Sequence, residues 1–434
     1  MTTRQKIFSL LETYAEEKHR RSKFVPGVSK IRYSGAYFDE KELIAVTDAL
    51  LSGWFGLGPY GAKLERELTN YIGANSTLLT NSGSSASLLS MAALTSYLYA
   101  DRIDSGAEVI TPACTFATTA AAIVHRGLVP VFVDNDVDTF NTTPERISKA
   151  ISRKTRAILL PHTLGNPNEM NNIMQLVKTH KLLLIEDNCD ALGSEYDGKK
   201  TGSFGALATC SFYPAHHITM AGEGGAVFIN DPRLHRVILT LRNWGRGCWC
   251  TSLEKHPDGA CKNRFNFKID GIPVDHKYYF LELGYNLKPV ELQAAMGFVQ
   301  LKRFPEFVKR RRNNFKKLYA FFKSYGKFFI LPRSLPQADP CWFSFPLTLR
   351  DKVRFTRQEI TFYLESKRIE TRTVFAGNVV RQPAMRRVTY KVSGNLTGAD
   401  KVLEDTFFIG IGPHIGEKEI EYMKEVFTNF LKRY

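Results

Sequence analysis

The sequence predicts an α/β protein with a mostly parallel mixed sheet, followed by a smaller C-terminal α/β region. Six short apolar runs carry the first half of that prediction: Glu108 to Thr111, Pro130 to Asp134, Ala157 to Leu160, Leu182 to Glu186, Ala208 to Phe212 and Ala226 to Asn230. They alternate with segments mostly long enough for a helix, the rhythm of strands joined by crossover helices. A long helical pattern after Lys288 then leads into a stretch with a mixed pattern of its own. The composition agrees, since 434 residues with 44% apolar and 24% charged side chains are those of a folded chain.

We divide the chain into an N-terminal helical segment at 1–35, a large domain at 36–300 that includes a cysteine-rich loop at 244–279, and a small domain at 301–434. No stretch approaches the roughly 18 uninterrupted apolar residues of a membrane span. The N-terminus, MTTRQKIFSLLETYAEEKHRRSKF, has no signal-peptide apolar block. A cytoplasmic protein with no membrane attachment is expected.

The 59 basic against 43 acidic residues leave a net charge of +16, which suits an anionic partner. Many of the bases lie between Lys302 and Lys327, where Phe304, Val308, Phe315, Leu318 and Phe322 recur at helical spacing. That pattern reads as a helix with a solvated basic face. With no paired zinc fingers and no RNP strand, nucleic acid is not an expected partner. A nucleotide-bearing substrate or an acidic protein would match the charge equally well.

In a parallel α/β sheet, ligands bind beyond the carboxyl ends of the strands, so chemistry is sought there. Asn81-Ser82-Gly83-Ser84-Ser85-Ala86 opens an apolar helical run. Small residues at a helix start leave its amides and positive dipole end open to a phosphate, although they also cap helices. The run Leu183-Leu184-Ile185-Glu186-Asp187-Asn188-Cys189-Asp190 is an apolar strand ending in carboxylates. Such an acid can hold a cofactor's ring nitrogen protonated; it can also be a helix cap. The third motif, Ser211-Phe212-Tyr213-Pro214-Ala215-His216-His217, runs on to Gly222-Glu223-Gly224-Gly225.

The three motifs, in this order, resemble the DegT/DnrJ/EryC/StrS sugar aminotransferases, which act on nucleotide-linked keto-sugars. The resemblance spans nearly the whole chain, including Leu164-Gly165-Asn166, Gly284-Tyr285-Asn286 and Phe375-Ala376-Gly377-Asn378. It implies the aspartate aminotransferase-like fold of pyridoxal phosphate enzymes, fold type I. In that family the third motif carries a Schiff-base lysine where this chain has His216. Imidazole can shuttle a proton but cannot form the covalent link to the cofactor. The resemblance therefore implies pyridoxamine 5'-phosphate as cofactor, His216 as catalytic base, and a 3-dehydrase that removes the C3 hydroxyl of a nucleotide-linked 4-keto-6-deoxyhexose. His217 is expected to pack or orient.

Seven cysteines in a chain of this length with no secretion signal do not suggest a disulfide framework. Two branches of 3-dehydrase are distinguished by their cysteines. In the iron–sulfur branch the ligands match Cys189, Cys248, Cys250 and Cys261, so a [2Fe-2S] cluster is implied. That branch acts on a CDP-linked sugar, takes electrons from an NADH-dependent flavin and iron–sulfur reductase, and serves surface-polysaccharide synthesis. The alternative is a cluster-free, GDP-type 3-dehydratase with glutamate as amino donor. Turning C3–OH into C3–H₂ beside a retained ketone consumes two electrons and two protons and releases water. No strand-linked GxGxxG fingerprint provides a nicotinamide site in this chain.

Carrying the family's roles over, Gly83, Ser84, Ser85 and Ser211 hold the cofactor phosphate, Phe116 stacks on the ring, Asp187 pairs with the ring nitrogen and Asp190 sits near the ring hydroxyl. Asn286 reaches in from a neighbouring subunit, which implies a homodimer. Arg372, Asn378 and Arg381 are the candidates for the sugar nucleotide. Two departures from the family pattern stand out. The interval from Cys250 to Cys261 is a few residues longer, and Ala221 is an extra residue ahead of the Gly-Glu-Gly-Gly turn.

Overall fold

The computed structural model describes residues 1–18, 23–249 and 264–434. Its centre is an eight-stranded sheet. Seven strands come from residues 76–229: β1 (Ser76–Thr80), β2 (Glu108–Pro112), β3 (Val129–Val133), β4 (Thr155–Pro161), β5 (Leu183–Asp187), β6 (Leu207–Ser211) and β7 (Gly225–Ile229). The spatial order is β1-β7-β6-β5-β4-β2-β3, and Lys391–Ser393 adds an eighth, parallel strand at the β3 edge. Only β7 runs against its neighbours; it pairs antiparallel with both β1 and β6.

All six apolar runs are strands, displaced by one or two residues at their ends. The near-continuous apolar character of β2 to β7 reflects burial on both faces. Strand β1 escapes the apolar reading because Ser76, Thr77 and Thr80 interrupt it, and Lys391–Ser393 because it is a short, polar edge strand.

The helix Glu291–Phe322 packs on helices Glu40–Leu51 and Pro59–Ile72 and runs without a break through the division placed at 300/301. It carries Pro305 within its length. Its start also serves a neighbour. Glu291 accepts the amides of Gly58 (2.6 Å), Tyr60 and Gly61 (3.2 Å), and so caps the helix Pro59–Ile72, whose own N-cap, Gly58, has no side chain to do so.

Beyond it, Phe329–Ile330, Phe345–Leu349 and Thr406–Ile409 form a small antiparallel sheet. That sheet and the helices Arg357–Ser366 and Glu417–Leu431 bury an aromatic core around Phe322, Phe345, Phe355, Phe407 and Phe427. Two regions cross to the other half: Ile31 bridges Ile369, and Ala338–Asp339 pairs with Glu195–Tyr196.

Within the loop assigned to 244–279, residues 267–274 form a two-stranded hairpin. Trp244 and Gly245 are left-handed at φ 62° and 85°. A Cβ on Gly245 would lie 1.6 Å from the Glu282 carbonyl oxygen and 3.0 Å from the Gly284 nitrogen, so residues 243–245 meet the segment 282–286 backbone to backbone. Two hydrogen bonds between Trp244 and Tyr285 and between Tyr285 and Leu241, each 2.6 Å, hold them there. Among the described residues no helix is long and apolar enough to cross a membrane.

Candidate active site

A cavity of about 470 Å³ lies beyond the carboxyl ends of β4, β5 and β6. One wall is the start of helix Gly83–Leu94. Ser82 caps that helix, its Oγ accepting the Ser85 amide at 3.0 Å. Gly83 and Ser84 line the cavity beside Ser211 at the end of β6. A Cβ on Gly83 would sit 2.5 Å from Ser211 Cβ, so the glycine is what lets the helix start reach the strand end. The first amides of a helix have no intrahelical acceptor and sit at its positive end, which fits a phosphate. Ser85, assigned to the phosphate from sequence, is not on the cavity wall; its hydroxyl lies 3.0 Å from Ser82 Oγ.

The floor is the end of β5. Strand pleating sends Glu186 and Asp187 to opposite faces. Glu186 is fully buried and accepts the amides of Gly202, Phe204 and Gly205 at 2.7–2.8 Å, with His162 Nε2 at 3.0 Å. Asp187 faces the cavity. Its Oδ2 accepts from Thr119 Oγ1 at 2.8 Å and its Oδ1 from the Cys189 amide at 3.2 Å. Phe116, half-exposed and edge-on to Phe375 at 6.3 Å, stands over the cavity. A fixed carboxylate, a flat aromatic wall and an anion cradle in one cavity fit a pyridoxal-type cofactor: acid toward the ring nitrogen, cradle toward the phosphate.

His216 enters on the loop between β6 and β7. Its Nδ1 lies 3.2 Å from Asp190 Oδ1, without hydrogen-bond alignment. Asp190 Oδ2 is buried and has no hydrogen-bond partner among the described residues, and a ligand hydroxyl there would satisfy it. The His216 ring packs against Phe343 at 5.5 Å. His217 is buried, and its Nε2–H donates to the Cys341 carbonyl at 2.8 Å. Burial and the nearby Arg311 guanidinium hold His217 well below the usual histidine range, so it stays neutral. The extra Ala221 is absorbed by a left-handed turn, φ 55° at Ala221 and 114° at Gly222, and Glu223 still reaches the cavity.

Of the four expected cluster ligands, Cys189 lines the cavity next to Asp187, and Cys248 is half-buried. Cys250 and Cys261 lie outside the described residues. Among the described residues no group of three or more His, Cys, Asp or Glu is placed to hold a metal ion. Burial and Asp187 push the Cys189 thiol well above the usual range.

Arg372 reaches the cavity, stacked over Tyr33 at 4.6 Å. Asn378 and Arg381 do not. Asn378 is fully buried, donating to Asp400 Oδ1 at 2.8 Å and accepting the Val380 amide, and Arg381 grips Asp400 through two bonds of 2.9 and 2.7 Å. Both are structural ties where sequence suggested substrate contacts. Asn286 is exposed and off this chain's cavity; its Oδ1 accepts from Lys288 Nζ at 2.9 Å. Lys288 lies over the Trp244 ring, and burial together with Arg242 and Arg246 pushes it down to about 8.

Sequence reasoning missed Tyr33, Thr119, His162, Tyr213 and Phe343 as cavity residues. Tyr213 sits inside the third motif and Thr119 lies three residues after Phe116, so both had a positional signal. Tyr33 and Phe343 arrive from distant segments and had none.

A family model described as the DegT/DnrJ/EryC1/StrS aminotransferase family matches residues 36–428. The chain is 42% identical over 433 residues to a dTDP-4-dehydro-2,6-dideoxy-D-glucose 3-dehydratase of Saccharopolyspora spinosa, covering 99% of this chain and 92% of the relative. It is 41% identical over 430 residues to the lipopolysaccharide biosynthesis protein RfbH of Salmonella typhimurium, covering 98% of each. Among solved structures, the Escherichia coli GDP-4-keto-6-deoxy-D-mannose-3-dehydratase with bound hydrated pyridoxal phosphate superposes with a TM-score of 0.82 at 28% identity, over 92% of this chain and 100% of that one.

Proposed function

Because the chain belongs to the DegT/DnrJ/EryC1/StrS aminotransferase family, we propose that it deoxygenates C3 of a CDP-linked 4-keto-6-deoxyhexose, using pyridoxamine phosphate and a [2Fe-2S] cluster. The chain is an enzyme, a pyridoxal-phosphate-dependent 3-dehydratase of nucleotide-linked sugars: its family is that of the aminotransferases, two relatives are 3-dehydratases of dTDP- and GDP-linked sugars, and a solved 3-dehydratase of the same fold binds pyridoxal phosphate. The observation that carries the finer reading is a histidine at the lysine position lining the same cavity as Cys189.

When bound, the cofactor supplies an amine for the substrate ketone and a ring that takes up electron density. Gly83, Ser84 and Ser211 would hold its phosphate, and Asp187, fixed by Thr119 and the Cys189 amide, would face its ring nitrogen. Phe116 would cover the ring. His216 takes and returns a proton through its imidazole as the C3 hydroxyl leaves. Arg372, the candidate that reaches the cavity, would meet the nucleotide's phosphates. Cys189, Cys248, Cys250 and Cys261 would hold the cluster, whose chemistry is one-electron transfer.

The two electrons required come, in this reading, from an NADH-dependent flavin and iron–sulfur reductase. A homodimer is supported by the surface around Asn286, where Leu283 is 95% exposed and Phe280 half-exposed. We place the enzyme in the cytoplasm, serving deoxysugars of surface polysaccharide.

The test is anaerobic purification with iron and sulfide assay, then incubation with CDP-, dTDP- and GDP-linked 4-keto-6-deoxyhexoses and a chemical or enzymatic reductant. The expected result is about two iron and two sulfide per chain, reductant-dependent loss of the C3 oxygen with the CDP sugar, and loss of iron in Cys248→Ser. Iron-free protein that converts the GDP sugar with glutamate as amino donor would replace this reading with the cluster-free one. Preference for the dTDP sugar would keep the chemistry and change the nucleotide.

A further inference from the structure

Arg311 is 2% exposed, one of the largest side chains buried in the molecule. A buried guanidinium needs strong partners, and most find a carboxylate. The Arg311 bonds run to main-chain carbonyls instead: Nη1 to Phe343 at 2.8 Å and to Trp342 at 3.5 Å, and Nη2 to His216 at 3.5 Å, the outer limit for such a bond. Those carbonyls belong to two segments distant in sequence, the base-bearing loop and the entry to the small antiparallel sheet. Phe343 is the residue whose ring lies against the His216 imidazole, and both rings line the cavity. The 341–343 segment is also tied by the His217 bond to Cys341 and by the Phe343 amide, which donates to the Leu164 carbonyl at 2.8 Å.

We propose that Arg311 is a positioning residue for His216: its planar fork fixes Phe343, and Phe343 sets the orientation and accessibility of the imidazole. This rests on the reading of His216 as the base. An ammonium group is a point charge that cannot reproduce the fork, so Arg311→Lys tests geometry with charge kept, and Arg311→Met tests removal of both.

The readout independent of turnover is acylation of His216 by diethyl pyrocarbonate, followed by mass mapping of its peptide, with buried His217 as internal reference. Both Arg311 variants should acylate His216 faster than wild type, by about threefold or more, and lose about tenfold in kcat, with KM held within about twofold. Phe343→Leu, which keeps the carbonyl and removes the ring, should reproduce the faster acylation. Should Arg311→Met fail to fold, Arg311→Lys and Phe343→Leu decide. Acylation and kcat within about twofold of wild type, even with a lowered melting temperature, would overturn the proposal and leave Arg311 a packing residue. If no nucleotide-linked keto-sugar is turned over, the acylation result still stands, so the two readings fail separately.

Discussion

Replacing Gly83 with alanine probes the anion cradle through sterics alone. The new methyl would lie 2.5 Å from Ser211 Cβ and 3.0 Å from Ser211 Cα and Oγ. Carbon atoms in contact settle at about 3.5–4.0 Å, so helix start and strand end must part by about 1 Å. Overpacking of this kind costs about 1–3 kcal/mol. Gly83 is not left-handed, so none of that cost is backbone strain. If the Gly83 and Ser84 amides and Ser211 together grip a phosphate, a 1 Å separation (roughly) stretches charge-assisted bonds well past their usual length of about 2.7–2.9 Å. The expected loss of pyridoxal phosphate affinity is about 10- to 100-fold, equivalent to about 1.4–2.8 kcal/mol. Titration of cofactor-stripped protein, followed by absorbance, measures it. Ser85→Ala is the control, because that hydroxyl faces Ser82 and not the cavity; it should bind within about twofold of wild type. Gly83→Ala binding as tightly as Ser85→Ala would refute the cradle.

Further outcomes follow from the same geometry. His216→Lys should let pyridoxal phosphate be fixed covalently on borohydride reduction, visible as a mass increase on that peptide, while wild type releases all its cofactor; no adduct in the variant would place residue 216 out of reach. Thr119→Val removes the 2.8 Å donor to Asp187 and should weaken cofactor binding by about 1 kcal/mol in the same titration. Glu291→Ala leaves the start of helix Pro59–Ile72 without its acceptor and should cost about 2–4 kcal/mol in urea unfolding. Lys288, pushed down from 10.5 to about 8, releases its proton when folded and keeps it when unfolded between those values. Its penalty is therefore full below pH 8 and fades as pH rises toward 10.5. Lys288→Met should be the more stable protein near neutrality, and its advantage should shrink across that window; a pH-independent difference would contradict the assignment.

Much of the sheet was legible because β2 to β7 are buried on both faces and so are written as apolar runs. The long helix was legible too: Phe304, Leu318 and Phe322 are buried, and Val308 and Phe315 pack against the core, but periodicity passed over Phe307, Arg311 and Asn314, which are buried with them. A buried polar side chain is invisible to an apolar pattern, because its burial is licensed by carbonyls from segments far away, as with Asn314 and the Ile415 oxygen at 3.0 Å. The same limit explains the site. Asp187, Ser211 and Gly83 lie at element ends and His216 in a loop that motifs mark, while Phe343 and Tyr33 belong to the cavity only through tertiary approach. Asn378 and Arg381 show the converse, since Asp400 claims side chains that their sequence position had recommended for a ligand.

The reversed direction of β7 has a consequence for how one scaffold could host different reactions. Because β7 runs opposite to β6, its beginning sits at the edge where β6 ends, and the chain leaves and re-enters the site within residues 211–225. That excursion is stapled at its base by the Phe212 amide to the Gly224 carbonyl at 2.8 Å and the Met220 amide to the Phe212 carbonyl at 3.0 Å. None of these bonds involves the side chain at 216. The loop is thus a socket whose shape does not depend on what is plugged into it, and exchanging a lysine for a histidine there can redirect chemistry without a new backbone. Reaction type, on such a frame, is open to change by single substitutions, while Gly83, Ser211 and Asp187 keep their places around the cavity.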